Sequence, residues 1–555
     1  MKKLSIVAIV ALLGLGGKCY YQKSKVESFL DSFSEYGYSY NITKSSLCSM
    51  DIDLKLEDPK KIINIYPKFL KENRVFMKGV KAAFSKDKTL KELKYKYSIK
   101  LPIFGFNVVA TRVVDSKKEV KNFSDFIANE FRDTTTTCSI LTNKCHTIYK
   151  DIDSTYNSVH YQAKGMSADV EYKGKRAFDG VFRASLIKIS DKKSDFIFKD
   201  LAVDVLYKDS NKFDIQQVIK AKEFSIVDKS GEKGVLSGLK IGFGYFEDKK
   251  GFVDFGVDSF ELLQNSVTLK MDNFGLNANI SSKSGYKFNI DSLTINSKEE
   301  KFDLVLNKLN SSYKFLDNNI YLANGKTTLA LLDIKAQNAE SINIKDVNLK
   351  SNPTIKGDKL NLSEIYSIAA IKSSIKKADF ELSDAKIDLA VKDIGYSVIK
   401  DLYNEIKEVY KDAFIAGFYG DRLAMLRVDR EVRKIASKYM PRFPEVLKYG
   451  IKAKIKDSGF KKFVFEGKEA KDLNINGALE LLKITINDIM SKKYNENNLP
   501  IKSLNVEAKI PSTLLEIANV NEQTLPFKLK SSGEFKIVEI GYKDGKITVN
   551  GEPIK

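Results

Sequence analysis

The sequence has little of what enzymes and cofactor sites use. Its 555 residues include no tryptophan, two histidines, four cysteines and 10 prolines. Two histidines leave little room for a Ser-His-Asp or Cys-His catalytic unit. The glycine-rich stretch at residues 14–17 lies inside an apolar run, so it is not a phosphate-binding loop. We therefore expect no catalytic residue, no cofactor and no metal ion.

Arginine is also scarce. The net charge is +20, but only 10 of the 92 basic residues are arginine and the remainder are lysine. The lysines mostly alternate with apolar residues, which is typical of the solvent-exposed face of β-strands. Because no concentrated patch of arginine and aromatic residues appears, we do not expect the protein to bind nucleic acid. A hydrophobic content of 43% and a charged content of 30% indicate an ordered protein that is not a multi-span membrane protein.

Long apolar runs are absent except at the N-terminus. The stretch "MKKLSIVAIVALLGLGGKCYY" has two lysines and then an apolar run over residues 4–17. The run is shorter than the roughly 20 residues of a typical span, but the two tyrosines that follow suit the membrane interface. The sequence predicts an uncleaved signal-anchor over residues 1–21, with a cleaved signal as the alternative. This places a single-pass protein in the bacterial inner membrane, with its body in the periplasm.

The cysteines fit an exported chain. Cys138 and Cys145, in "TTTTCSILTNKC", can close a small loop, so we predict a disulfide between them. A metal site would have to add His146 and His160, but the spacing matches no standard zinc pattern. Cys19 follows a lysine, where lipoprotein signals have a small residue, so we do not expect it to carry lipid.

Most of the chain shows the period-2 alternation of β-strands. "LKYKYSIKL", residues 93–101, places every second apolar residue on one face. Residues 160–395 repeat a few alternating residues followed by Asp, Asn, Ser or Gly, which predicts a long antiparallel meander. A helix is expected to begin at Ser124. Several strands are expected to begin just after an aspartate: Asp258, Asp272, Asp291, Asp346 and Asp384.

The period changes over residues 395–445. Apolar residues recur there every three or four positions, which predicts a helical hairpin with Gly420 as a C-cap and Asp421 as an N-cap. Pro441 and Pro444 are expected to end it. Strands return over residues 446–555, and Asp544-Gly545 and Asn550-Gly551 predict two tight turns at the end of the chain.

The predicted fold is therefore mainly β with α (α+β). It has extended antiparallel, curled amphipathic sheets, a helical hairpin insertion and an N-terminal membrane anchor helix. The predicted divisions are the anchor at residues 1–21, a β-rich region at 22–394, the hairpin at 395–445 and a second β-rich region at 446–555.

Half of the arginines lie between Arg422 and Arg442, on the second helix of the hairpin and just after it. These cations could contact anionic lipid or an acidic partner. Asp429 and Glu431 lie among them, so the alternative is an ordinary charged helix face with local ion pairs. The predicted contact residues are Arg422, Arg427, Arg430, Arg433 and Lys434.

Two pairs of carboxylates share a strand face. Asp51 with Asp53, and Asp151 with Asp153, are interpreted as solvated side chains rather than as a site for a cation.

Both ends of the chain resemble one family. "GLGGKCYY" followed by "SYNITKSSLCSMDIDLKL", together with the closing "YKDGKITVNGEPIK", resemble the YdgA-like family of bacterial envelope proteins. The resemblance implies an inner-membrane anchor and an exported β-rich body. It also implies similarity to AsmA-type proteins, whose curled sheets are associated with moving or shielding phospholipids. The family has no established activity, so the resemblance implies no catalytic residue.

Three functions remain open at this point. The leading hypothesis is a non-enzymatic envelope protein with a β-sheet trough that contacts lipid, in particular phospholipid, or another apolar ligand. The alternative is a structural or assembly partner that binds another envelope protein through a sheet edge or the hairpin. The third is a hydrolase with dispersed carboxylates.

Overall fold

The computed structural model does not describe every residue. The described residues are 18–31, 34, 37–58, 61, 94–101, 107–113, 126, 129–130, 133–139, 141–174, 177–209, 213–246, 251–280, 284–316, 319–337, 340–375, 378–418, 424–485, 487–488, 491, 493–494, 499–543 and 545–554. Among them, no helix is long and apolar enough to cross a membrane. The apolar run at residues 4–17 lies outside the described residues, so the predicted anchor helix gains no support from the structure. Gly420, Asp421 and most of the helix expected from Ser124 also lie outside them.

The fold is mainly β and the strands pair antiparallel, which confirms the coarse sequence prediction. The chain divides into two compact units, residues 1–258 and 259–555, and each is described by itself.

The first described element of the first unit is helix α1, residues 18–31, which packs beside a small core. Leu30 of this helix contacts a cluster with Met50, Ile52, Ile99 and Leu101. The predicted strand at residues 93–101 is β3, whose Ile99 is buried as the alternation requires. The strands are β1 (Tyr38–Ser46), β2 (Ser49–Leu56), β3 (Lys94–Lys100), β4 (Asn107–Val113), β5 (Thr134–Ser139), β6 (Lys144–Tyr149), β7 (Ile152–Tyr156), β8 (Val159–Lys164), β9 (Ser167–Gly174), β10 (Ala177–Ser190), β11 (Ser194–Asp209), β12 (Phe213–Asp228) and β13 (Lys233–Phe246), with β14 (Gly251–Gln264) at the division.

The second unit is a meander in which consecutive long strands pair antiparallel. Two short strands, β20 and β26, form hairpins with the strands that follow them, β21 and β27. The strands are β15 (Val267–Ile280), β16 (Gly285–Ser297), β17 (Phe302–Leu316), β18 (Asn319–Lys335), β19 (Ser341–Ser351), β20 (Thr354–Lys356), β21 (Lys359–Ile375), β22 (Ala378–Gly395), β23 (Lys452–Phe465), β24 (Lys468–Leu481), β25 (Ile501–Pro511), β26 (Lys530–Ser532), β27 (Phe535–Lys543), β28 (Lys546–Val549) and β29 (Glu552–Pro553).

Two long helices lie between β22 and β23. They are α2 (Tyr396–Phe418) and α3 (Ala424–Tyr439), followed by a 3-10 turn (Met440–Arg442) and the short helix α4 (Phe443–Val446); α5 (Ser512–Ile517) and a 3-10 turn (Glu522–Thr524) occur later. The Asp358 carboxylate accepts a hydrogen bond from the backbone N–H of Ser397 at 2.6 Å, which satisfies one free donor in the first turn of α2. Tyr396 and Ile399 pack in a cluster with Leu360 and attach α2 to the sheet.

The expectation that strands begin after aspartates is wrong. All five of those aspartates lie inside strands, in β14, β15, β16, β19 and β22. Asp346 and Asp384 adopt positive φ values of 49° and 50°. Short polar side chains tolerate this left-handed conformation, and the same property makes them common in turns. A residue of this kind therefore marked an irregularity inside a long strand and not the end of a strand.

These irregularities form a line across the sheet of the second unit. Pairing between β18 and β19 passes from Leu329–Val347 to Leu331–Lys345 and skips Asp346. The ladders between β16 and β17, β19 and β21, and β21 and β22 skip a position at the corresponding place. Apolar residues change phase at this line: in β17 they occupy even positions before Lys308 and odd positions after it. We call this line the crease.

The end of the chain forms the expected tight turns, of which Asp544 itself lies outside the described residues. β27 pairs with β28, and β28 pairs with β29. Gly545, Asn550 and Gly551 have φ values of 80°, 54° and 87°, the positive values that a two-residue hairpin turn requires.

Candidate functional site

One face of the sheet in the second unit is apolar over many strands. Residues directly opposite each other on antiparallel strands project to the same face, so paired residues can be followed from strand to strand. On one side of the crease, such pairs connect Met271, Leu293, Leu306, Leu332, Ile344, Ile371, Leu382 and Phe463. Every member of this first row is apolar, from β15 to β23.

A second row lies on the other side of the crease. It connects Leu276, Phe288, Ser311, Thr327, Leu349, Tyr366 and Ile387. The two rows are separated by odd numbers of residues, which would place them on opposite faces of a regular strand. Because the alternation changes phase at the crease, we assign both rows to one face, named the apolar face.

The apolar face is not covered like the interior of a packed protein. All eight members of the first row are only partly buried, although most lie on central strands. In the second row, Tyr366 is 41% exposed and Ile387 is 51% exposed. Central positions of a sandwich lie against a second sheet and are removed from water. The partial burial of these residues therefore indicates that the apolar face is incompletely covered.

The opposite face carries polar and charged side chains. Asn343 donates a hydrogen bond to Asp333 at 3.0 Å, and Lys462 pairs with Glu381 at 3.3 Å. Lys372 projects there as an exposed neighbour of Ile371. The sheet is thus amphipathic, as the alternation predicted.

Hydroxyl groups interrupt the apolar face near its second row. Ser311 Oγ lies 2.9 Å from Thr327 Oγ1, and Thr327 donates to the Tyr313 hydroxyl at 3.2 Å. Ser311 also donates to the Tyr286 hydroxyl at 3.4 Å, and the rings of Tyr286 and Tyr313 stack with centroids 5.6 Å apart. The result is a connected group of four hydroxyls among apolar side chains.

A carboxylate lies beside these hydroxyls. Glu364 pairs with Ser351 on β19 and with Leu389 on β22, so it belongs to the apolar face. Ser351 donates to Glu364 Oε1 at 2.6 Å and Tyr366 donates to Oε2 at 3.3 Å. Burial raises the pKa of the Tyr366 hydroxyl above its ordinary value, and the charge of Glu364 adds to that rise.

The cations predicted on the hairpin are described only in part. Arg422 lies outside the described residues, and the side chain of Arg427 is not described. Arg430 and Arg433 are exposed, and Lys434 forms an ion pair with Glu431 at 2.7 Å. Val428 of this helix is buried and packs on Val409 and Val432.

The base of the hairpin contains a network of ion pairs. Arg442 bonds to Asp401 at 3.0 Å and to Glu445 at 2.9 Å, which raises the pKa of the guanidinium further above its usual range. Lys438 and the Tyr439 hydroxyl both donate to Glu405, at 2.7 and 2.8 Å. These carboxylates have cationic partners, so they hold the helices of the hairpin together at its base.

Both predicted and unpredicted disulfides are present. Cys138 and Cys145 are bonded across β5 and β6, and Cys19 is bonded to Cys48. The second bond joins α1 to the turn between β1 and β2, and Cys19 is fully buried. The sequence signal for this second disulfide was the even number of cysteines in a chain that is expected to be exported.

The histidines have carboxylate partners. His146 Nδ1 lies 2.7 Å from Asp169, whose pKa is lowered by hydrogen bonds from His146 and Arg183. His160 pairs with Asp153 at 3.3 Å. Within the described part of the chain, no three His, Cys, Asp or Glu side chains are placed to hold a metal ion.

Comparison with known proteins gives one match. Residues 253–517 are similar to a bacterial protein family of unknown function, DUF945. The matched segment contains β15 to β25 and the helical hairpin, and therefore the whole apolar face. Searches of curated proteins and of solved structures found no match.

Proposed function

We propose that this chain is a non-enzymatic protein of the bacterial envelope whose apolar face contacts lipid or another apolar ligand. In this proposal the sheet curls into a trough, like the sheets of AsmA-type proteins. An N-terminal anchor holds the protein in the inner membrane, and the body lies in the periplasm. The disulfides support an oxidising compartment, because such bonds persist outside the cytosol.

The observation that carries the proposal is the incomplete burial of the first row. An antiparallel sheet with one apolar face must hide that face from water. Contiguous apolar surface larger than a few hundred Å² is rare on proteins that bind nothing. Acyl chains would cover the face without the directional contacts that a protein layer needs.

Site-specific photo-crosslinking in cells tests the proposal. A photoreactive phenylalanine analogue replaces Ile371 on the apolar face or Lys372, its neighbour on the opposite face. We expect lipid adducts, detected by mass spectrometry, at position 371 and not at position 372. An absence of lipid at 371, or equal labelling of both positions, contradicts the proposal.

A second candidate is docking on another envelope protein through the hairpin. Met440, which follows α3 directly, is 73% exposed, and Phe443, the first residue of α4, is 58% exposed. Methionine and aromatic side chains are enriched at protein interfaces. The same photoreactive residue at Met440 should then give a protein adduct, whereas the exposed control position Ser437 should give none.

A further inference from the structure

We propose that Glu364, with Ser351 and Tyr366, forms a headgroup site on the apolar face for lipids that carry a primary ammonium group. The inference rests on the proposed function and specifies the class of lipid. It begins from the position of Glu364, a carboxylate on a face whose neighbouring rows are largely apolar.

The partners of Glu364 are neutral. Its two oxygens accept hydrogen bonds from the Ser351 and Tyr366 hydroxyls. Among the residues that the structure describes, no lysine, arginine or histidine forms an ion pair with it. On the opposite face of β22, by contrast, Glu381 pairs with Lys462 and Asp388 pairs with Lys386.

A partly buried carboxylate without a cation is costly, because burial removes water that stabilises the charge. The two hydroxyl donors reduce that cost but leave the negative charge in place. Each carboxylate oxygen can accept more than one hydrogen bond. The site therefore has both charge and acceptor capacity for a small cation that can donate several hydrogen bonds.

An ammonium group on a lipid headgroup meets these requirements. It donates three hydrogen bonds, and the acyl chains attached to it would lie along the apolar rows on either side. Tyr313 lies in the same cross-strand row as Glu364, and because its hydroxyl accepts the hydrogen bond from Thr327, its own O–H can donate to a phosphate oxygen of the same lipid. An anionic headgroup without an ammonium would meet only repulsion from Glu364, which is stronger at a site partly removed from water.

The test measures which lipids the full chain retains. Protein purified in detergent and stripped of lipid is incubated with micelles that contain phosphatidylethanolamine and phosphatidylglycerol in equal parts. Native mass spectrometry then gives the total bound lipid and the ratio of the two. We expect wild type to prefer phosphatidylethanolamine.

Glu364→Gln keeps the shape of the side chain and removes its charge. In the state that carries one lipid, we expect the ratio to fall on the order of tenfold, the factor that one charge-assisted hydrogen bond represents, with unchanged total lipid. Ser351→Ala should shift the ratio in the same direction by less. Glu381→Gln, the matched carboxylate on the opposite face, should leave the ratio unchanged.

The outcomes separate the two proposals. Wild type that retains no lipid overturns the trough and the headgroup site together. Wild type that retains lipid without preference, or a ratio unchanged by Glu364→Gln, overturns the headgroup site alone.

Discussion

Asp346 offers a direct test of the crease. Its φ of 49° is in the left-handed region, which costs an ordinary side chain roughly 1–2 kcal/mol and a β-branched one at least as much. Asp346→Val should therefore destabilise the local structure by about 1–2 kcal/mol. Lys345→Val changes the preceding residue, which is equally exposed and lies in the same strand, so it should cost less than about 0.5 kcal/mol.

Hydrogen exchange of β19, followed by mass spectrometry, measures the effect locally. Since about 1.4 kcal/mol is a factor of ten, amides of β19 should exchange roughly 5- to 30-fold faster in Asp346→Val. Asp346→Gly should restore protection to near the wild-type level, because glycine adopts positive φ without steric cost. Equal exchange in Asp346→Val and Lys345→Val would refute the idea that backbone conformation selects the aspartate.

Two further predictions concern the first unit. In the chain-entropy model, the Cys19–Cys48 bond, with a sequence separation of 29, stabilises by roughly 3.5 kcal/mol, and the Cys138–Cys145 bond, with a separation of 7, by roughly 2.5 kcal/mol. Replacing each pair by serines should show this order in denaturant unfolding; the reverse order would contradict the loop-length argument. The pKa of Asp195 lies well below its ordinary value of 3.8, because two lysines hydrogen-bond to the carboxylate. The contribution of this carboxylate to stability is fully present above the unfolded-state pKa and is lost as the pH falls through the lower folded-state pKa. Asp195→Asn should therefore be less stable than wild type at pH 7, and this difference in stability should disappear in acid. A difference that persists unchanged at low pH would count against the ion pairs.

Local patterns predicted the element types because each depends on a short stretch of chain. Period-2 alternation is visible within nine residues, as in β3, and Asn550-Gly551 specifies its turn with two residues. The change to a period of three and four residues similarly located α2 and α3. The Cys19–Cys48 bond depends instead on how α1 docks against β1 and β2, which no local pattern contains.

The position of Glu364 shows why the candidate site was not found from sequence. Ile371 and Ile375 lie at odd positions of β21. If the same alternation continued along the strand, Ile365 would lie on the apolar face and Glu364 on the polar face. The phase change near position 369 reverses that assignment. Nothing local marks the change in β21, because the aspartates with positive φ lie on the neighbouring strands β19 and β22. The site therefore depends on cross-strand register.

The length of the strands limits how a lipid could occupy the apolar face. β21 has 17 residues, so it extends about 55 Å at roughly 3.3 Å per residue. The hydrocarbon of one membrane leaflet is roughly 15 Å thick, half of a bilayer core. One lipid would thus cover less than half of a strand's length. Because the crease keeps apolar residues on one face along the whole strand, the face has room for more than one lipid, or for one lipid at successive positions. Bound lipid in excess of one per chain would favour the first of these arrangements.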